Sequence, residues 1–179
     1  MKQTIRLSIL TTLLLASAFP VVTALADGDE LNAEADKAIK VFERADSGLT
    51  NLFNGSAGFA VFPTVGKGGL IFGAEHGNGL VYENDKPVGE ATLTEINVGP
   101  QAGGETFYEV IFFETADALA NFKESNFEMS SKVSVAAAAE GAALNAKYRS
   151  GVMVFTLPKT GLMAQVSVGG QKFKYKAIN

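Results

Sequence analysis

Cysteine is absent from the 179 residues, and histidine occurs once, at position 76. The first absence removes disulfide staples, thiol nucleophiles, Cys-based zinc sites and lipidation of an N-terminal cysteine, so stability has to come from packing. The second removes histidine clusters and leaves any Ser–His–acid triad dependent on His76 alone. His76 sits in Glu75-His76-Gly77-Asn78-Gly79, which reads as an exposed hairpin turn. No serine stands in a nucleophile elbow. An enzyme built on two carboxylates needs acids distant in sequence to meet in space, and no pair signals one. The expectation is a protein that is not an enzyme and needs no cofactor or metal.

Excess positive charge is lacking too. Lys and Arg number 15 against 19 Asp and Glu, a net charge of −4, and such a balance repels polyanions, so no nucleic-acid partner is expected. The charge is uneven: Asp27, Asp29, Glu30, Glu34 and Asp36 come without a base, whereas Lys172, Lys174 and Lys176 close the chain without an acid.

Long hydrophobic runs are limited to the N-terminus. Lys2 and Arg6 precede an apolar stretch from Leu7 to Val22, followed by Ala24-Leu25-Ala26 and acidic Asp27. This three-part pattern predicts a signal peptide over residues 1–26, with cleavage after Ala26. The run is short for a bilayer span and contains Pro20. Export to the periplasm, cell envelope or exterior is expected, with residues 27–179 forming one domain.

What is present is a helix followed by many short strands. Leu31, Ala35, Ala38, Ile39 and Phe42 recur at helical spacing up to Ala45. Ser47-Gly48 interrupts the pattern, and Leu49 to Phe53 add a turn. From residue 58 onward, β-branched and aromatic runs punctuated by glycine predict strands near 58–63, 68–75, 78–84, 91–99, 105–114, 128–138, 141–147, 151–157, 161–168 and 171–177. Turns are expected at 76–79, 84–87, 99–100, 103–104 and 158–161. Thr115 can cap a helix from Ala116 to Glu124 whose inner face is Ala116, Leu119, Ala120 and Phe122. The run from Val133 to Ala139 fits strand or helix, with strand favoured by its Ser-Val alternation. The fold class is α+β: a strongly curved antiparallel sheet or open β-barrel with an N-terminal amphipathic helix and one further helix.

The glycine-dense stretch from Gly58 to Gly79 fails the phosphate-binding templates. Gly66-Lys67-Gly68-Gly69 lacks the spacer and Lys-Ser/Thr pair of a P-loop, and Gly73 to Gly79 is not followed by a helix. Glycine there suits a bent backbone: a relaxed connection at 66–69, a bend at Gly73, and positive φ around Asn78.

Gly58-Phe59-Ala60-Val61-Phe62-Pro63, then Val65, Lys67, Gly69, Gly73 and Gly77-Asn78-Gly79, resemble the SYLF family. Later blocks carry the likeness further: Thr115 to Phe122, Ser134 to Ala137, Ser150-Gly151 and Lys159 to Ala164. The family comprises lipid-binding domains of eukaryotic endocytic adaptors and of bacterial secreted or envelope proteins. The resemblance implies binding of an anionic lipid or membrane surface, phosphatidylinositol lipids among them, through an amphipathic N-terminal helix and basic residues. On this chain the candidates are Lys37, Lys40 and Arg44, a stripe at i, i+3 and i+7 that also fits an ordinary solvated helix face, with Phe42 partitioning into the interface or serving as core. Lys67 matches a family lysine, and Lys172, Lys174 and Lys176 alternate with Phe173 and Tyr175 so as to share one strand face. The alternative is a structural or protein-binding envelope module that never touches lipid.

Overall fold

The computed structural model describes residues 23–68, 72–98, 105–124, 127–130, 132–133, 135–159 and 170–178. Helix α1 (Thr23–Ala45) presents Ala35, Ala38 and Phe42 at i, i+3 and i+7, and all three are fully buried. It begins upstream of the expected cut at Ala26, so the acids from Asp27 onward lie beyond its first turn. Residues 1–22 of the expected signal peptide lie outside the described residues. The Asp46 N–H donates to the Phe42 carbonyl (3.1 Å), and α2 (Gly48–Gly55) follows with Leu49 and Phe53 buried. Among the described residues no helix is long and apolar enough to cross a membrane.

Strands β1 (Gly58–Gly68), β2 (Phe72–Glu83), β3 (Lys86–Val98) and β4 (Glu105–Phe113) precede α3 (Ala116–Lys123). Then come β5 (Phe127–Glu128), β6 (Val135–Ala137), α4 (Ala142–Asn145), β7 (Val152–Pro158) and β8 (Lys172–Ala177). The eight strands form one curled sheet, a half-barrel in the order β5-β8-β3-β2-β1-β4-β7-β6. All pairs are antiparallel except β6 with β7, which is parallel, so the sheet is mixed. The Asn84-Asp85 turn has φ of 53° and 60°, the left-handed pair that joins two strands by a two-residue hairpin.

Alternation along the strands makes two cores. Ala60, Phe62, Val65, Val81, Leu93, Phe107, Ile111 and Phe173 pack on one face, closed by Leu119 and Phe122 of α3. Phe59, Val61, Leu80, Tyr82, Val110, Phe112 and Phe155 pack on the other, beneath α1 and α2. Central strands buried on both faces read as unbroken apolar runs, as in Phe59-Ala60-Val61-Phe62 and Val110-Ile111-Phe112-Phe113. The Thr115 hydroxyl accepts from the Ala118 N–H (3.2 Å), capping α3 as its sequence predicts. Ala116 and Ala120 are exposed, however, and Ala118 contributes to the inner face instead.

The expected turn at 76–79 is not a turn. His76 to Gly79 lie inside β2, paired with β1 on one side and β3 on the other. The reason is steric. A β-bulge falls between Val61 and Thr64, around Pro63, a residue tolerated there because it cannot donate to the ladder. A Cβ at Gly79 would meet the Val61 carbonyl oxygen at 2.5 Å and the Phe62 ring at 2.6 Å, and one at Gly77 would meet the Thr64 oxygen at 2.9 Å. These glycines admit close backbone approach, not positive φ.

Two other expectations fail locally. The strand expected over 128–138 is two short pieces, β5 and β6, and that over 141–147 is the helix α4. Alanine favours helix, and the α4 start is held by the Asp46 carboxylate, which accepts from the Ala143 N–H at 2.7 Å while its other oxygen accepts from the Gly48 N–H at 2.9 Å. Burial pushes the Asp46 carboxyl up, but hydrogen bonds from the backbone of Ala143, Gly48, Gly141 and Ala142 outweigh this and hold it below its ordinary range. The strand expected over 161–168 and the turns at 99–100 and 103–104 lie outside the described residues, as does the end of the turn at 158–161.

Candidate functional site

On the α1 side of the sheet, the part that α1 leaves uncovered is polar. Thr64, Asn78, Thr92 and Lys174 form one cross-strand row over β1, β2, β3 and β8, and the Thr92 hydroxyl donates to Asn78 Oδ1 at 3.3 Å. The neighbouring row sets His76 opposite Thr94 and Thr94 opposite Lys172. Between this surface and the N-terminal half of α1 runs a groove of about 840 Å³ whose walls include Glu30, Glu34, Thr64, His76, Asn78 and Lys176.

The β8 lysines stand as their alternation predicts: Lys172, Lys174 and Lys176 are all exposed, while Phe173 between them is fully buried. Lys172 lies 3.9 Å from Glu128, an exposed pair that does little to tie it down. Lys176 is opposite Glu90, and Lys174 is opposite neutral Thr92.

Lys37, Lys40 and Arg44 are exposed on α1. The acidic end of the helix, not this stripe, faces β8 across the groove. Arg44 lies ten residues beyond Glu34, about 15 Å along the axis at the usual helical rise. The Arg44 end of the helix stripe and the β8 lysines are therefore not one continuous patch. Phe42 is fully buried, edge-on to the Tyr108 ring at 6.3 Å between centroids. Of its two readings the core one holds, since an interfacial ring has to reach solvent. Lys67 pairs through its backbone with Glu75 of β2 and Glu105 of β4. Its register sets it in the row of Glu75 and Glu95, not in that of Thr64 and Lys174.

One cation outside the sequence-derived candidates belongs to this surface. The Lys159 ammonium donates to the Thr64 hydroxyl and sits 4.6 Å from the centre of the Tyr108 ring. Desolvation lowers its pKa, with Glu34 acting to raise it and Lys37 to lower it further, so Lys159 and the α1 charges share one field. In the sequence Lys159 stands out only as part of an expected turn and of a family block, because its role depends on a ring in another strand, β4.

The opposite face holds a buried polar cluster. Glu75, Glu95, Glu109 and Gln171 are at most 5% exposed, and the Gln171 amide donates to Glu109 (3.1 Å) and Glu75 (3.4 Å). Thr156, also buried, is the cross-strand neighbour of Glu109. Burial pushes the Glu109 carboxyl up, Gln171 pulls it back, Glu75 and Glu95 push it further, and the result is about 8. At neutral pH Glu109 keeps its proton, which is how a carboxyl survives in such a site. These acids meet in space without lining the groove beside α1. Among the described residues no three His, Asp or Glu are arranged to hold a metal ion.

Residues 94–177 match the family described as Ysc84, Las17-binding protein actin regulator. Beta cell expansion factor A of Aeromonas veronii is 29% identical over 147 residues, which cover 80% of this chain. The alignment covers 55% of that relative, so the chain spans about half of its length. The family match runs from the end of β3 to the end of β8 and takes in Glu109, Lys159, Gln171 and the three β8 lysines. Through residues 94–177 the chain is similar to the Ysc84, or SYLF, family, a family of binding domains.

Proposed function

We propose that the protein is a non-enzymatic binding domain, exported to the cell envelope, that attaches to anionic phospholipid surfaces. The observation that carries this reading is the β8 strip: three exposed lysines on one strand face, above a buried phenylalanine, on the part of the sheet that α1 does not cover. Each base near an anionic surface is worth about 1 kcal/mol, so three together are worth at most about 3 kcal/mol, or roughly a hundredfold in affinity, less what Glu128 beside Lys172 and Glu90 opposite Lys176 offset. Lys37, Lys40 and Arg44 form a second, weaker contact, offset by Glu34 and Asp36 on the same helix. Segregation is what lets an acidic chain bind anions, because charges farther away than a Debye length, about 8 Å at physiological salt, are screened.

The family description favours a second reading, since it names a Las17-binding protein: a protein partner in place of lipid. Co-sedimentation of the protein with vesicles of neutral and of anionic phospholipid, at low and at high salt, separates the two. Lipid binding requires capture by anionic vesicles alone, weakened by salt. Indifference to every vesicle at low salt leaves the protein-partner reading.

A further inference from the structure

A second groove, of about 530 Å³, opens at the far edge of the sheet around β6. Its apolar lining is Val135 and Ala136 of β6, Met153 and Val154 of β7, Ala142 at the start of α4 and Ala146 just after it. The volume lies within the roughly 300–1,000 Å³ usual for small-molecule sites. The charged groups in the described lining are Lys147 and Arg149, both exposed, and no acid is among them. Leu144, beside the lining residue Asn145, is 85% exposed, an unusual position for a large apolar side chain.

The walls of this groove are held from several sides. Tyr148, half-buried against the core under α1, separates exposed Lys147 from exposed Arg149. Ser150 and Gly151, at φ 54° and 78°, form a two-residue turn. It locks Arg149 to Val152 by a reciprocal pair of backbone hydrogen bonds, 2.9 and 3.2 Å. The Asp46 carboxylate anchors α4, the third wall.

We propose that this edge groove binds a single-chain anionic amphiphile of the fatty-acid class, its alkyl chain along Ala136, Ala142, Ala146 and Met153, which share the α1 side of the sheet, and its carboxylate on Lys147 and Arg149. Charge complementarity selects the occupant: an apolar trough whose described lining holds two cations and no acid matches a molecule with an alkyl body and one negative end. A peptide adding a strand to the β6 edge is a poorer fit, because β6 offers only three residues of ladder. The site lies at the other end of the strand order from β8, so it stands or falls separately from the phospholipid reading.

Titration calorimetry of the intact protein with myristate, below its micellar concentration, tests this against monomyristin, tetradecyltrimethylammonium and butyrate. Saturable binding of myristate is expected, with the neutral and cationic analogues weaker by about tenfold or more, the scale of one charge-assisted hydrogen bond. Butyrate, which has the head without the chain, should not bind. Lys147→Glu with Arg149→Glu should weaken myristate by a similar factor, and Ala146→Phe should weaken it by filling the trough. Lys174→Glu, on β8, should leave it unchanged. Equal affinity for myristate and monomyristin overturns the proposal, as does a loss that follows Lys174→Glu and not the Lys147/Arg149 pair. Capture of an extended peptide that protects the β6 amides, with no response to myristate, also overturns it. Should the double reversal fail to fold, the comparison of amphiphiles on the wild-type protein decides between these outcomes.

Discussion

Glu109 offers the sharpest test of the interior. Its carboxyl is fully buried, opposite Thr156 and hydrogen-bonded to Gln171, with its pKa pushed up to about 8 from an ordinary 4.5. Because the folded value lies above the unfolded one, the folded state binds the extra proton between these limits. Stability therefore falls as pH rises from about 4.5 to about 8 and is flat in this group's contribution outside that window. The slope is at most about 1.4 kcal/mol per pH unit. Glu109→Gln keeps the shape and the neutral state but cannot ionise when unfolded, so it removes the slope. Between pH values of about 5.5 and 7.5 the wild type should lose up to about 3 kcal/mol relative to the variant. Urea unfolding followed by circular dichroism across that range measures the difference. A gap that stays constant with pH, or one in which the wild type gains on the variant as pH rises, refutes the protonated-carboxyl account.

Gly79→Val should cost about 1–3 kcal/mol or more, because the new Cβ has to occupy space held by the Val61 carbonyl and the Phe62 ring; an unchanged thermal midpoint would contradict this. Asp46→Ala removes two charged hydrogen bonds to Gly48 and Ala143, each worth about 1.5–3 kcal/mol. Since the Asp46 pKa is lowered, its contribution should be present at neutral pH and fade as pH falls below the ordinary 3.8, which acid titration of wild type and variant can follow. Phe42→Ala should cost about 3–5 kcal/mol of stability while folded protein keeps its affinity for anionic vesicles; lost affinity in a folded variant would return Phe42 to the membrane contact.

Much of the architecture is legible in the sequence because local signals agree with the tertiary outcome. The spacing of Ala35, Ala38 and Phe42, the Thr115 cap and the Asn84-Asp85 turn each act over a few residues, and each reads the same in the fold. Gly77 and Gly79 read as a turn because glycine between polar residues signals one, whereas their cause is a bulge in another strand. The helix α4 escapes a local reading because its start depends on Asp46, 97 residues from its partner Ala143. At the site, the exposed face of β8 follows from simple alternation. The places of Lys67 and Lys159 require knowing which strands are neighbours, and that is set by topology, not by local pattern.

Whether β8 is the strand that meets an anionic surface is decided by the affinity for anionic vesicles, at low salt, of three proteins: the wild type, the triple variant Lys172→Glu, Lys174→Glu, Lys176→Glu, and the α1 variant Lys40→Glu, Arg44→Glu. Every substituted side chain is exposed, and buried Phe173 stays in place between the lysines, so the core is untouched. The triple variant should lose about a hundredfold or more in affinity while remaining folded, its unfolding midpoint lowered modestly because positions 176 and 172 then face Glu90 and Glu128, and the α1 variant should lose less affinity. A triple variant that binds as tightly as the wild type, or a wild type that ignores anionic vesicles altogether, would contradict the assignment of the contact to β8.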